Sequence, residues 1–212
     1  MKIKTPKPDW YLVILCLALS IFRVFAQWEM KYLFLIFNLF LAWLPYVFST
    51  LITRYKRWFI QYGLIALSIL FLPNATYLVT DFIHFKYGSK PDVWYDLVLF
   101  FSYGLTGLIY TIFSIEHIYT FLHSQWSVFW HRAAIIALFP AIGCGIYLGR
   151  IVRMNSWDVF LHPFSLIAQL KDIVFSEKFF ELMEFTLLFA IFSGAIFLFF
   201  QQIRQPNASK NE

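Results

Sequence analysis

Apolar residues fall into long runs separated by short clusters of charge, glycine, proline and tryptophan. The runs approach the roughly 20 residues that a helix needs to cross hydrocarbon, so each predicts a membrane helix. The first, about 10–25, is short for a crossing and is expected to extend at either end, with a turn around 27–31 after it. The second, about 32–52, holds Asn38, placed to hydrogen-bond between helices, and Pro45, which removes one backbone hydrogen bond and is expected to kink the helix. The third, about 59–78, has too few residues before Pro73 to cross, so it must continue through Asn74. If that stretch is helical, Asn74, Tyr77, Asp81 and His84 lie on one stripe.

A turn over 86–93, with Gly88 and Pro91, leads to a fourth span, about 94–115. Asp96 falls in its first turn, where a carboxylate suits the helix dipole, and Gly104 and Gly107 permit close helix approach. The interval after it, carrying Glu116, His117, His123, His131 and Arg132, reads as a loop. The fifth and sixth spans cover about 133–148 and 185–203, and Gly145 and Gly149 form a small-xxx-small pair near the end of the fifth. Between these two spans, Phe164, Ile167, Leu170 and Val174 recur at helical spacing with Ser165, Gln169 and Asp172 among them. That segment, 163–175, is too polar to cross and predicts a short interfacial helix. A polar tail, 206–212, ends the chain.

The fold class predicted is therefore an all-α integral membrane protein with six transmembrane helices in a single transmembrane domain, 1–205. Composition agrees: the 212 residues are 60% hydrophobic, 22% aromatic and 14% charged, too little charge for the surface of a soluble domain. The net charge of +5 comes from residues in short loops, which excludes nucleic acid as the partner and points to the lipid bilayer. Cys16 and Cys144 sit inside apolar runs, so neither a disulfide framework nor a zinc knuckle is indicated. The N-terminal lysines ahead of an apolar run imitate a secretory signal, but no small-x-small cleavage site follows, and an uncleaved first span is expected.

Lys2, Lys4 and Lys7, and then Arg54, Lys56 and Arg57, flank the first two spans. The positive-inside rule places both groups, and with six spans both termini, in the cytoplasm. Tryptophan placement supports the scheme: Trp10, Trp28, Trp58, Trp94, Trp126, Trp130 and Trp157 fall at span ends, and only Trp43 does not.

This topology carries three separated segments to the outer face, bringing Asp81, His84, Asp96, Arg150, Arg153, Asn155, Asp158 and His162 to one side, while the inner side offers no comparable convergence. Charge at the hydrocarbon edge is costly and calls for pairing or function. The stretches Phe-Leu-Pro-Asn-Ala-Thr-Tyr-Leu-Val-Thr-Asp-Phe-Ile-His (71–84), Trp-Tyr-Asp (94–96) and Gly-Ile-Tyr-Leu-Gly-Arg-Ile-Val-Arg-Met-Asn-Ser-Trp-Asp (145–158) resemble the hallmark segments of an uncharacterised bacterial multi-pass membrane protein family, domain of unknown function 1361. The resemblance runs through most of the chain from the third span onward, with Thr76 standing where the family pattern usually has proline. It implies a fold and a place in the bacterial cytoplasmic (inner) membrane, and no established chemistry.

The candidate site residues are Asp81, His84, Asp96, Arg150, Arg153 and Asp158. The leading expectation is a binding or structural role in the envelope, with Asp81 and Asp96 neutralising Arg150 and Arg153, and the arginines and carboxylates organising the outer face and holding an anionic group. Asn155 and Asp158 also have the spacing of a helix N-cap and its N3 carboxylate. The alternative is a hydrolase or transferase acting on a phosphate-bearing, lipid-linked substrate. There Asp81 with His84, and Asp158 with His162, have spacings that can ligate a metal, and the arginines clamp an anionic headgroup. The residues leave open whether a metal or other cofactor takes part. A small carrier is the third class, suggested by Pro45 and Pro73 but lacking an inverted repeat. Walker loops, dinucleotide fingerprints, Gly-x-Ser-x-Gly elbows and His-Glu-x-x-His are absent.

Overall fold

The computed structural model describes residues 10–27, 32–85 and 92–204. The lysines Lys2, Lys4 and Lys7, Trp28 and most of the turn expected after the first span, nearly all of the 86–93 turn, and the polar tail lie outside the described residues. Within them the fold is helical, with no strand. Five helical stretches are long and apolar enough to cross a membrane: Leu33–Arg54, Trp58–His84, Val93–Gln125, Val128–Val152 and Lys178–Ile203. Trp10–Phe25 is apolar but shorter. The chain divides into two compact units, Met1–Trp126 and Ser127–Glu212.

The first unit contains α1 (Trp10–Gln27), α2 (Leu33–Leu51), α3 (Trp58–Thr80) and α4 (Asp92–Gln125). Successive helices run antiparallel, as their cross-contacts show. Asn38 of α2 reaches Asp81 just past α3, Thr76 of α3 meets Thr111 of α4, and Cys16 of α1 meets Thr106 of α4. α4 is the most enclosed of the three candidate spans here, 72% buried against 39% and 33% for those built on α2 and α3. It touches all three other helices, and Leu99, Phe100 and Tyr103 on it are fully buried beside Leu35, Ala42, Ala75 and Leu78.

α3 runs unbroken through Pro73, and only its last turn tightens, into a 3-10 turn at Asp81–His84. The helical continuation expected beyond Asn74 is thus present as far as Thr80. Thr76 is fully buried, and its hydroxyl lies 2.9 Å from that of Thr111. In α2, Pro45 is accommodated inside the helix and its carbonyl accepts a hydrogen bond from Ser68 at 2.9 Å. Ser68 thereby ties α3 to α2 beside the proline, whereas the carbonyl that Pro45 frees is that of Leu41, one turn earlier.

The interval expected as an inner loop is corrected. Glu116, His117 and His123 belong to α4, which continues to Gln125. Ile115, Ile118, Phe121 and Leu122 keep a buried stripe at helical spacing through that stretch, so the polar residues do not interrupt the helix. His131 and Arg132 likewise lie in the first turns of the next helix. Asp96 consequently stands in the second turn of its helix, since α4 begins at Asp92.

The second unit contains α5 (Val128–Tyr147), a π-turn at Leu148–Val152, the short α6 (Asp158–Leu161), α7 (Pro163–Val174) and α8 (Lys178–Arg204). α8 begins earlier than the expected sixth span, because Leu182 joins Tyr147 and Ile173 in a buried cluster and Tyr147 donates to Glu181 at 3.2 Å. α5 and α8 run antiparallel, with Phe139 against Phe197 and Tyr147 against Phe185. Gly143 lets them approach closely: a Cβ there would lie 2.5 Å from the Thr186 carbonyl oxygen.

Gly107 serves the same purpose between α3 and α4, where a Cβ would fall on the Ala75 carbonyl oxygen and within 3.0 Å of Leu78. Gly107→Ala is expected to lower stability in detergent by about 1–3 kcal/mol, the range of overpacking. Gly63, with nothing within 4 Å of its Cβ position, is the control. Gly63→Ala should raise stability by about 0.5–1 kcal/mol through helix propensity. Thermal unfolding of the two variants compares them directly.

Candidate functional site

α1 is attached to its unit by polar groups. Among its described side chains only Cys16, Ser20 and Arg23 are buried, and they recur at helical spacing on one face. Each meets a polar residue of the antiparallel α4. Cys16 Sγ lies 3.4 Å from Thr106 Oγ1, Ser20 Oγ lies 2.6 Å from Tyr103 Oη, and Arg23 Nη2 donates to Asp96 Oδ2 at 2.9 Å. Two α4 tyrosines also reach α1 backbone carbonyls, Tyr95 to Leu19 and Tyr103 to Cys16. Between apolar helices in lipid there is little hydrophobic gain on association, so hydrogen bonds and close packing carry the specificity.

Arg23 and Asp96 are 7% and 9% exposed, which makes theirs a buried ion pair rather than a surface one. The guanidinium carbon sits 5.8 Å from the ring centroids of both Tyr32 and Tyr95, a cation–π arrangement that replaces part of its lost hydration. Tyr32 donates its hydroxyl to the same Asp96 oxygen at 3.1 Å. It lies one position before the apolar span Leu33–Arg54. Burial first, and then the Asp96 carboxylate, raise its phenol above the ordinary value and keep it a neutral donor. The other carboxylate oxygen, Asp96 Oδ1, is buried without a hydrogen-bond partner among the described residues.

Asp81 lies at the same end of this unit and is fully buried, accepting from Asn38 Nδ2 at 3.1 Å. Asn38 therefore does bond between helices, as its place in an apolar run suggested. The ring of Phe100 joins the two carboxylate neighbourhoods, 5.5 Å from Tyr32 and 6.1 Å from Phe82 between centroids. His84 is exposed and packs edge-on to Phe34, with centroids 5.4 Å apart. No group of three or more His, Cys, Asp or Glu side chains that could hold a metal gathers among the described residues.

Asp96 takes an ion pair from Arg23, a cation within its own unit that the expected pairing with Arg150 and Arg153 did not include. Arg23 is not among the residues that the sequence pattern nominates for the site. A lone arginine inside an apolar run was the available signal, since such a charge requires a partner. At the opposite end of the unit, His117 Nδ1 lies 3.1 Å from Ser49 Oγ, with His117 and Glu116 only 7% and 3% exposed. That convergence was missed when those residues were read as a loop.

In the second unit, Arg150 lies on the π-turn and Arg153 follows it, exposed, with φ 63°, the one described non-glycine residue at positive φ. Asp158 accepts from the Asn155 backbone N–H at 2.7 Å and from Asn155 Nδ2 at 3.3 Å. These bonds close the turn ahead of α6, and the expected cap is corrected: Trp157, not Asn155, holds the N-cap position, and Asp158 is the first helical residue rather than the N3 one. His162 separates α6 from α7 and is exposed.

The five described helices of crossing length define a multi-helix membrane protein. The chain belongs to the DUF1361 family, described as a protein of unknown function, whose model matches residues 37–198. That range includes Asn38, Asp81, Asp96 and the segment from Arg150 to His162, whereas Arg23 and Tyr32 precede it. No curated protein and no solved structure matches the chain.

Arg23→Ala should destabilise the protein in detergent by about 3–5 kcal/mol, because it strands a buried carboxylate. Replacing both members, Arg23→Met with Asp96→Leu, should restore most of the loss. Additive losses in this double-mutant cycle, with coupling below about 0.5 kcal/mol, would show that the pair does not fasten α1 to α4.

Proposed function

We propose that this is a six-span protein of the bacterial inner membrane, with both termini cytoplasmic, that holds an anionic lipid headgroup or lipid-linked anion at its extracytoplasmic face. In this reading Asp81, His84 and Asp96 organise the outward end of the first unit in a structural role. Arg150 and Arg153 in the second unit supply positive charge to the ligand, and Asp158 shapes the segment that presents them. The shorter helix α1 counts as the first span, since the Arg23–Asp96 pair seats it beside the longest helix.

The observation that carries the reading is the conformation of Arg153. A left-handed backbone costs an ordinary L-residue roughly 1–2 kcal/mol, and π-turns recur at functional sites. Here a π-turn ends on an exposed arginine held in that conformation. A purely structural turn would be served better by glycine.

The surroundings suit the membrane interface. α7 buries Ile173 and half-buries Leu166 and Leu170, while Phe164, Ile167 and Phe175 remain 86%, 49% and 87% exposed on its other side. An exposed apolar stripe beside polar residues supports α7 lying in the headgroup region, with Lys171 snorkelling from among the apolar side chains.

Arg153→Gly separates charge from strain. It is expected to raise stability by up to about 1 kcal/mol by relieving the left-handed residue, while lowering retention of phosphatidylglycerol several-fold in native mass spectrometry. Unchanged phosphatidylglycerol retention in both Arg153→Gly and Arg150→Ala would refute the headgroup role. Reporter fusions placed after Arg54 and after Arg153 should report opposite sides of the membrane.

A further inference from the structure

An open hollow of about 130 Å³ in the second unit is lined by Met154, Asp158, His162, Ser165, Leu166 and Gln169. Ser165 and Gln169 stand one turn apart on α7, and Asp158 and His162 come from α6 and the non-helical residue that joins it to α7. The lining contains one carboxylate and neither lysine nor arginine.

Its hydrogen-bonding capacity is mainly that of an acceptor. Asp158 Oδ2 is engaged by Asn155, which leaves Oδ1 able to accept. Gln169 gives its amide N–H to Ser165 Oγ at 3.1 Å, which leaves its carbonyl oxygen as an acceptor. The His162 ring can accept at one nitrogen. Met154 and Leu166 add an apolar wall.

A small cavity with negative charge, several acceptors and an apolar wall is complementary to an ammonium group on a short alkyl arm. An ammonium has three N–H donors and no acceptor. A divalent cation would want more oxygen ligands than a single carboxylate provides. A second anionic group would be repelled by Asp158.

The geometry points to this hollow as the site for the primary ammonium of an aminophospholipid headgroup, whose phosphate is met by Arg153. The inference rests on the headgroup reading above and adds a chemical class to it. Asp158 and Arg153 are five residues apart in sequence, and a phosphoethanolamine headgroup carries its two charges on one short arm, so one segment of chain supplies a counter-charge for each. A quaternary ammonium lacks the N–H donors and would lose the bonds to Asp158 and Gln169.

The test is native mass spectrometry of the full chain in detergent, titrated with phosphatidylethanolamine, phosphatidylcholine and phosphatidylglycerol of matched acyl chains. Phosphatidylethanolamine is expected to be retained about ten-fold better than phosphatidylcholine, equivalent to about 1.4 kcal/mol. Asp158→Asn should abolish that preference while keeping an oxygen for the Asn155 N–H, and Gln169→Leu should reduce it without touching that turn. Equal retention of phosphatidylethanolamine and phosphatidylcholine, or a preference that survives both substitutions, overturns the ammonium site.

Arg153-dependent retention of phosphatidylglycerol without any amine preference would overturn this inference alone and leave the headgroup reading standing. An amine preference that needs Asp158 while no lipid depends on Arg153 or Arg150 would instead remove the headgroup reading. Soluble O-phosphoethanolamine binding as tightly as the lipid would overturn the assignment of a lipid source.

Discussion

The first unit depends on a contact between opposite charges that neither partner could sustain alone. In lipid, α1 gains little by placing apolar residues against α4, and its buried face is made of Cys16, Ser20 and Arg23. The Arg23–Asp96 pair, 2.9 Å apart and supported by Tyr32 and Tyr95, turns two costly groups into a fastening. The pair need not contribute much net stability compared with an apolar replacement. Its consequence is positional: a stranded charge at either end is so unfavourable that α1 can seat in only one register. Because the family match begins at residue 37, Asp96 belongs to the matched region and its counter-ion comes from a helix that precedes it.

The remainder of that unit uses the same means at smaller magnitude. Thr76 meets Thr111, Asn38 meets Asp81, Ser68 meets the Pro45 carbonyl, and Gly107 removes the side chain that would hold α3 away from α4. Each is a short polar or steric device that chooses one helix pairing among many apolar surfaces of similar greasiness. The second unit differs in kind. α8 is apolar and largely exposed along its length, with Leu187, Leu188, Ile191, Leu198 and Phe199 each more than 60% exposed. The groups proposed to bind a headgroup lie in the segment between α5 and α8, which holds Arg153 and the hollow beside Asp158.

Much of this was legible in the residue pattern because membrane helices announce themselves by length and apolarity. Five of the expected spans coincide with helices of crossing length, and the first, Trp10–Phe25, is apolar but shorter. Helix ends were less legible: α4 carries Glu116, His117 and His123 on helix, because a buried stripe through Ile118 and Phe121 outweighs the polar residues beside it. For the site, Asp81 and Asp96 were recognisable as expensive charges, and Asn38 as an interhelical donor. The choice of Asp96's partner was not, since the charge argument names no particular arginine. Arg23 wins through the register of α1 on α4, which emerges from the Ser20–Tyr103 and Cys16–Thr106 contacts together rather than from any one residue. The left-handed Arg153 had no sequence signal, because arginine is not a residue that announces that conformation.

That register is open to a direct measurement. Cys16 Sγ lies 3.4 Å from Thr106 Oγ1, so Thr106→Cys in a Cys144→Ser background places two thiols within reach of a disulfide. Mild oxidation in membranes should cross-link residues 16 and 106 within one chain in high yield, read as a reductant-sensitive link between fragments after cleavage in the intervening loops, and Asp96→Asn should lower that yield. Failure to form the 16–106 link, with efficient linking at positions one helical turn away, would contradict the fastening of α1 by Arg23 and Asp96.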